Sequence, residues 1–291
     1  MVRIAHRPAI RPGWRAGLGI LLSLVALAQV SCNQVKARTR IREAADAYQK
    51  EDYMKACPLY EQALKLLPGD VELKKTLAYC YMAWYKPLDE TAENKALVDK
   101  AAKLFREILA SSPDNETVRE DLMSLYLNAN RYLDAVGVLK DQLQKDPNNV
   151  EVLKEIASLY LRAGDPDTSF SWYEKWGQMA PTNPEPWYTI GSLCWSKSYC
   201  EPTRCEDPNL PLEKRQAIIK RGLDALEKAI RIKSSHCESL AYLNLLYREK
   251  SKWIDYGDKK ARDEDARLAD DYRNRAISCI EERKKHSSSG K

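Results

Sequence analysis

The chain has 291 residues, of which 44% are hydrophobic and 31% charged, a balance that excludes both a disordered polypeptide and a multi-span membrane protein. Its net charge of +5 resides almost wholly in Arg3, Arg7, Arg11 and Arg15, and beyond Cys32 the remaining 43 basic residues face 42 acidic ones. That near-neutral body presents no general basic surface and argues against a nucleic-acid partner.

In chain order, residues 1–31 read as an export signal. A basic stretch precedes the apolar run AGLGILLSLVALAQV (16–30), which is short for a membrane span and of signal-core length. Two exits are open. Ala26-Leu27-Ala28 fits an A-x-A cleavage site, and Val30-Ser31-Cys32 resembles a bacterial lipobox in which Cys32 is acylated, with Gln29 where that motif usually has Leu. Residues 32–36 are expected to be a short linker.

Beyond the leader a repeat emerges. Pro113, Pro147 and Pro181 are spaced by 34 residues, and each opens an acidic or Asn-rich turn after an apolar helical stretch. Leu122, Ile156 and Ile190 fall in the same register, as do Tyr126, Tyr160 and Cys194, Ala135 and Ser169, and Leu139 and Tyr173. Asn130 and Gly164 share the place between two helical stretches, where a left-handed turn residue is favoured.

These positions resemble the tetratricopeptide repeat, a helix-turn-helix of 34 residues. Units 116–149 and 150–183 match without a gap. Unit 37–70 keeps Tyr53, Ala56, Tyr60, Ala63 and Pro68 but has Glu43 where a large apolar residue is expected. Unit 71–115 needs extra residues around Lys86–Ala96, unit 184–236 around Ser198–Arg215, and unit 237–284 near Trp253–Asp265. The tail, 285–291, is expected to be disordered. The resemblance implies an all-α, right-handed superhelical solenoid of about six hairpins over residues 37–284. The first helix of each pair would line a concave face. Tyr60, Phe105, Leu139 and Tyr173 would fill the space between units, over close approaches at Ala78, Ala101, Ala135 and Ala157. The 16 tyrosines, against 2 phenylalanines, suit such thin layers, where many positions are half-wet.

Catalytic chemistry is not legible. His6 lies in the leader and His286 in the tail. His236 stands at a turn before a helix, a place where histidine serves more often as a cap. No nucleophile-elbow, zinc-protease or phosphate-loop motif occurs, so neither an active site, a cofactor, a small-molecule substrate nor a metal centre is expected. Eight cysteines carry more information. With Cys32 set aside seven remain, an odd number that leaves one thiol free or paired between chains. Cys57 and Cys80 fall at one end of antiparallel neighbouring helices, and Cys237 and Cys279 likewise, so one or both pairs are expected within bonding reach. For Cys194, Cys200 and Cys205, disulfide or free thiol is favoured over zinc.

The resemblance places ligand contacts at concave positions, here Tyr48, Tyr79, Met82, Glu120, Asn128, Lys154, Ser158, Arg162, Tyr188, Trp195 and Arg248. Ser158 stands where the carboxylate-clamp subclass carries Asn, which disfavours that mode. The implied function is a non-catalytic scaffold, lipid-anchored at the periplasmic face of a bacterial outer membrane or otherwise soluble in the periplasm, that binds a partner protein. The alternatives are an adaptor recruiting substrates to an envelope enzyme and a homo-oligomer held by the extra cysteine.

Overall fold

The computed structural model describes residues 32–201, 204–205 and 207–289. The expected signal and both of its cleavage alternatives lie outside these residues, Cys32 excepted. Twelve helices follow in order among them: residues 32–49 (α1), Tyr53–Leu66 (α2), Val71–Trp84 (α3), Ala92–Ser111 (α4), Glu116–Asn128 (α5), Tyr132–Lys145 (α6), Val150–Arg162 (α7), Pro166–Met179 (α8), Glu185–Ser198 (α9), Leu212–Ile232 (α10), Cys237–Trp253 (α11) and Lys259–Ser289 (α12). The strand structure among the described residues is a small antiparallel ribbon, Cys200–Glu201 (β1) with Arg204–Cys205 (β2). None of the described helices is long and apolar enough to cross a membrane.

The local sequence explains where the helices begin and turn. Asp70, Asn115 and Asn149 cap α3, α5 and α7 by accepting from the backbone N–H three residues on, at 3.0, 3.2 and 3.1 Å. Asp52 and Asp165 do the same for α2 and α8. The turns between helices inside three hairpins are left-handed at one shared place, Glu51 (φ 59°), Asn130 (φ 54°) and Gly164 (φ 82°). The next residue's N–H then closes back onto the helix, as in Asp165 N to Tyr160 O at 2.9 Å. Asn and Gly tolerate this backbone; Glu51 adopts it at a steric cost.

The chain divides into two compact units after Arg131. In the first, α2 packs on α3, α3 on α4 and α4 on α5. In the second, successive helices from α6 to α12 pack in the same way, and α9 also touches α11. Ala56, Ala63, Ala78, Ala101, Ala135 and Ala157 are fully buried, and Tyr60, Phe105, Leu139 and Tyr173 are buried above them. Small side chains let the helix axes approach, and the large ones fill the space created, each contributing about 1.5–3 kcal/mol when wholly buried.

Around α9 and α10 the helices approach closely at two glycines. A methyl at Gly222 would lie 2.6 Å from Leu246 Cδ1 and 2.7 Å from Cys194 Cβ, and one at Gly191 would overlap Leu226. Here two glycines are steric requirements of the core, although each sits inside a helix.

Three boundaries differ from the sequence expectation. Residues 32–36 are helical, within α1, and not a linker. The extra residues at Lys86–Ala96, Ser198–Arg215 and Trp253–Asp265 are only partly loop. Much of the added length is spent on longer second helices, with α4 of 20, α10 of 21 and α12 of 31 residues. Residues 285–289 continue α12, and 290–291 lie outside the described residues.

The glycines give a paired test. Gly222→Ala should destabilise the chain by about 1–3 kcal/mol through overpacking. Gly137→Ala, in an exposed helix position with nothing within 4 Å of the added methyl, should stabilise it by about 0.5–1 kcal/mol. Thermal melts followed by circular dichroism check both, and equal shifts would contradict the packing account.

Candidate functional site

Within the second unit, the first helices α7 and α9 bound an open cleft of about 640 Å³. Spacing puts Glu151, Lys154, Glu155 and Ser158 on one face of α7, and Glu185 and Thr189 stand one turn apart on α9. The last two turns of α8 supply the floor, Tyr173 and Trp176, both buried and 6.4 Å apart between ring centroids. Lys154 Nζ lies 2.9 Å from Glu151 Oε1 and 4.7 Å from the centre of the Trp176 ring. Glu185 Oε1 is 3.2 Å from His236 Nε2. His236 is itself buried and caps α11, its Nδ1 accepting from Ser239 N at 3.3 Å, the cap role expected for it.

Further along the same face, aromatic rings join α9 to α11. Tyr188 stands edge-on to His236 at 5.4 Å and to Tyr242 at 5.7 Å, and Trp195 packs on Tyr242 at 5.5 Å and on Tyr199 at 5.1 Å. Both lie against the cluster of Ile219, Leu223, Leu226, Leu243 and Leu246 and keep part of their surface in solvent. Tyr188 and Trp195 therefore help to fasten successive hairpins together. The loop after α9 is held in turn by Arg215, 2% exposed, which donates to the Ser198 and Asp207 carbonyls and lies 4.7 Å over Trp253. Lys252 donates to Cys200 O at 3.0 Å.

The other sequence-predicted contacts are dispersed. Tyr48 meets Tyr53 edge-on at 5.3 Å. Tyr79 donates to Asp121 Oδ2 at 2.6 Å and packs on Phe105, and burial together with that bond pushes its phenol pKa upward. Met82 is half-buried, while Glu120, Asn128 and Ser158 are exposed. Arg162 lies 4.4 Å over Tyr132, and Arg248 is bound to Asp270 at 2.8 Å. The register places these residues one by one along their helices. It missed the His236–Tyr188–Tyr242–Trp195 association, because contacts between α9 and α11 span residues far apart in sequence.

Cys57 and Cys80 are disulfide-bonded with Cα atoms 5.7 Å apart, and Cys237 and Cys279 with 5.5 Å. A third bond joins Cys200 to Cys205, which stand opposite each other in the ribbon at 4.2 Å. The sequence signal for it was two cysteines flanking a Pro-containing turn. Cys194 is the odd thiol, fully buried between α9 and α10, and burial pushes its pKa up to about 12. Cys32 is exposed.

Residues 121–184 match a family model described as tetratricopeptide repeat. Comparison with curated proteins gives no match. Among solved structures, a chain of the Naa15/Naa10 assembly bound to HypK-THB is 16% identical, with 86% of this chain and 35% of that chain covered and a TM-score of 0.51. MamA is 17% identical over 69% of this chain and 99% of its own, with a TM-score of 0.41. YrrB, described as a TPR protein with an unusual peptide-binding site, is 16% identical over 72% and 93%, with a TM-score of 0.33. The hairpin array is an all-α fold of tetratricopeptide type.

Two outcomes are expected from this geometry. Trp195→Ala should cost about 1–3 kcal/mol of stability, less than a wholly buried tryptophan, because part of the ring is already wet; a melting shift measures it. Cys194 should resist iodoacetamide at pH 8, where its thiolate is essentially absent, and react fully once the chain is unfolded. Rapid native labelling, read by mass spectrometry, would contradict its burial.

Proposed function

We propose that the chain is a non-catalytic scaffold that holds a partner protein on the face of its first helices, and that it is exported and anchored through Cys32 at the bacterial envelope. The observation carrying the docking reading is the α7–α9 face itself. An open cleft there stands beside half-exposed aromatic rings, Tyr188 and Trp195, which are already fixed in orientation by their neighbours. Aromatic groups with restricted rotamers lose little entropy on contact and dominate interface energetics. The anchoring reading rests on the basic-apolar leader that ends at Cys32 and on the exposure of that cysteine at the start of α1. Against the homo-oligomer alternative, Cys194, the odd cysteine once Cys32 is set aside, is wholly buried.

A photo-crosslinking amino acid at Ser158, on the cleft side of α7, should trap a discrete protein adduct in intact cells. The same probe at exposed Gln178, on the second helix α8, should not. Equal trapping at both places, or none at Ser158, would reject the docking face. Mass spectrometry of the mature N-terminus should find Cys32 carrying acyl chains; a free Gln29 terminus would reject the anchor and leave the docking face untouched.

A further inference from the structure

The α7–α9 cleft has a charge pattern and an unmet hydrogen bond that narrow what it binds. Glu151, Glu155 and Glu185 edge it against a single ammonium, that of Lys154. Glu151 is engaged by Lys154, and Glu185 by His236. Glu155 is exposed and has no ion-pair partner among the described residues. The floor residue Trp176 is only 4% exposed, yet its indole Nε1–H has no acceptor among the described residues. A buried donor left unpaired is costly and rare, and it marks a place where an acceptor is missing.

We propose, resting on the docking face above, that this cleft takes a lysine or arginine side chain of an extended partner segment. The Trp176 indole ring holds the cation by its π face, Glu155 and Glu185 supply the counter-charge, and a neighbouring backbone carbonyl of the segment accepts from Trp176 Nε1–H, which is shut off from solvent until Lys154 leaves the ring. Lys154 shows that the ring face accommodates an ammonium, since its own Nζ stands there at 4.7 Å. It is the resident occupant, and binding of a partner cation moves it off the ring while Glu151 retains it. An anionic segment finds the opposite: three carboxylates against one lysine, with net repulsion at the mouth.

The test uses the purified full chain and an arrayed peptide library randomised except at a central Arg, Lys, norleucine or Glu, followed by fluorescence anisotropy on the best Arg peptide and its norleucine twin. The Arg and Lys pools should bind on the order of tenfold more tightly than the other two, and binding should weaken with added salt. Glu155→Gln, which disturbs no contact in the structure, should weaken the Arg peptide several-fold. Lys154→Met should strengthen it. Equal binding of norleucine or Glu pools, indifference to Glu155→Gln, or no binding by any pool overturns the proposal. The crosslinks from Ser158 decide the docking face separately: a trapped partner retained at full strength by Glu155→Gln would sink the cation specificity alone.

Discussion

Everything in this molecule depends on helices approaching where side chains are nearly absent. A lone hairpin of two short helices cannot cover its own apolar stripe, so stability comes from stacking each hairpin on the next. Fully buried alanines provide the approach throughout, and Gly191 and Gly222 provide it most closely, with Leu226, Leu246 and Cys194 filling the space that side chains there would take. Between α7 and α9 the intervening helix α8 presents Tyr173 and Trp176, and these large side chains line the cleft.

Much of the fold was legible because packing repeats on a fixed period. The turn residues at Asn130 and Gly164 and the core positions at Leu122, Ile156 and Ile190 follow from a register that three prolines announce. What the register missed was the fate of the extra residues. Counted against a 34-residue unit, Lys86–Ala96 and Trp253–Asp265 look like inserted loops. Their composition is rich in Ala, Lys, Asp and Glu, and part of that length starts the following helix early, α4 at Ala92 and α12 at Lys259. The ribbon at Cys200–Cys205 was invisible for a different reason: two-residue strands carry no alternation to read.

Tyr188 and Trp195 could be placed along one helix by counting, but their mutual support through Tyr242 and His236 is a property of α9 meeting α11. Glu151, Glu155 and Glu185 read individually as solvated helix surface, and only the fold assembles them around Trp176. The orphaned indole N–H could not be anticipated at all, since it reflects what is missing from the surroundings and not which residue is present.

The covalent bonds are distributed unevenly along the array, and that reverses its natural weakness. A stack of repeats ordinarily frays from its ends, where a hairpin has one neighbour instead of two. Here the Cys57–Cys80 bond ties the second helix of the first hairpin to the next, and the Cys237–Cys279 bond closes the last hairpin, with sequence separations of 23 and 42 residues. Each bond limits the freedom its segment gains on opening. From Tyr81 to Tyr199 no such tie exists among the described residues. Oxidation therefore restrains opening between α2 and α3 and between α11 and α12, next to the two ends, and reduction releases that restraint.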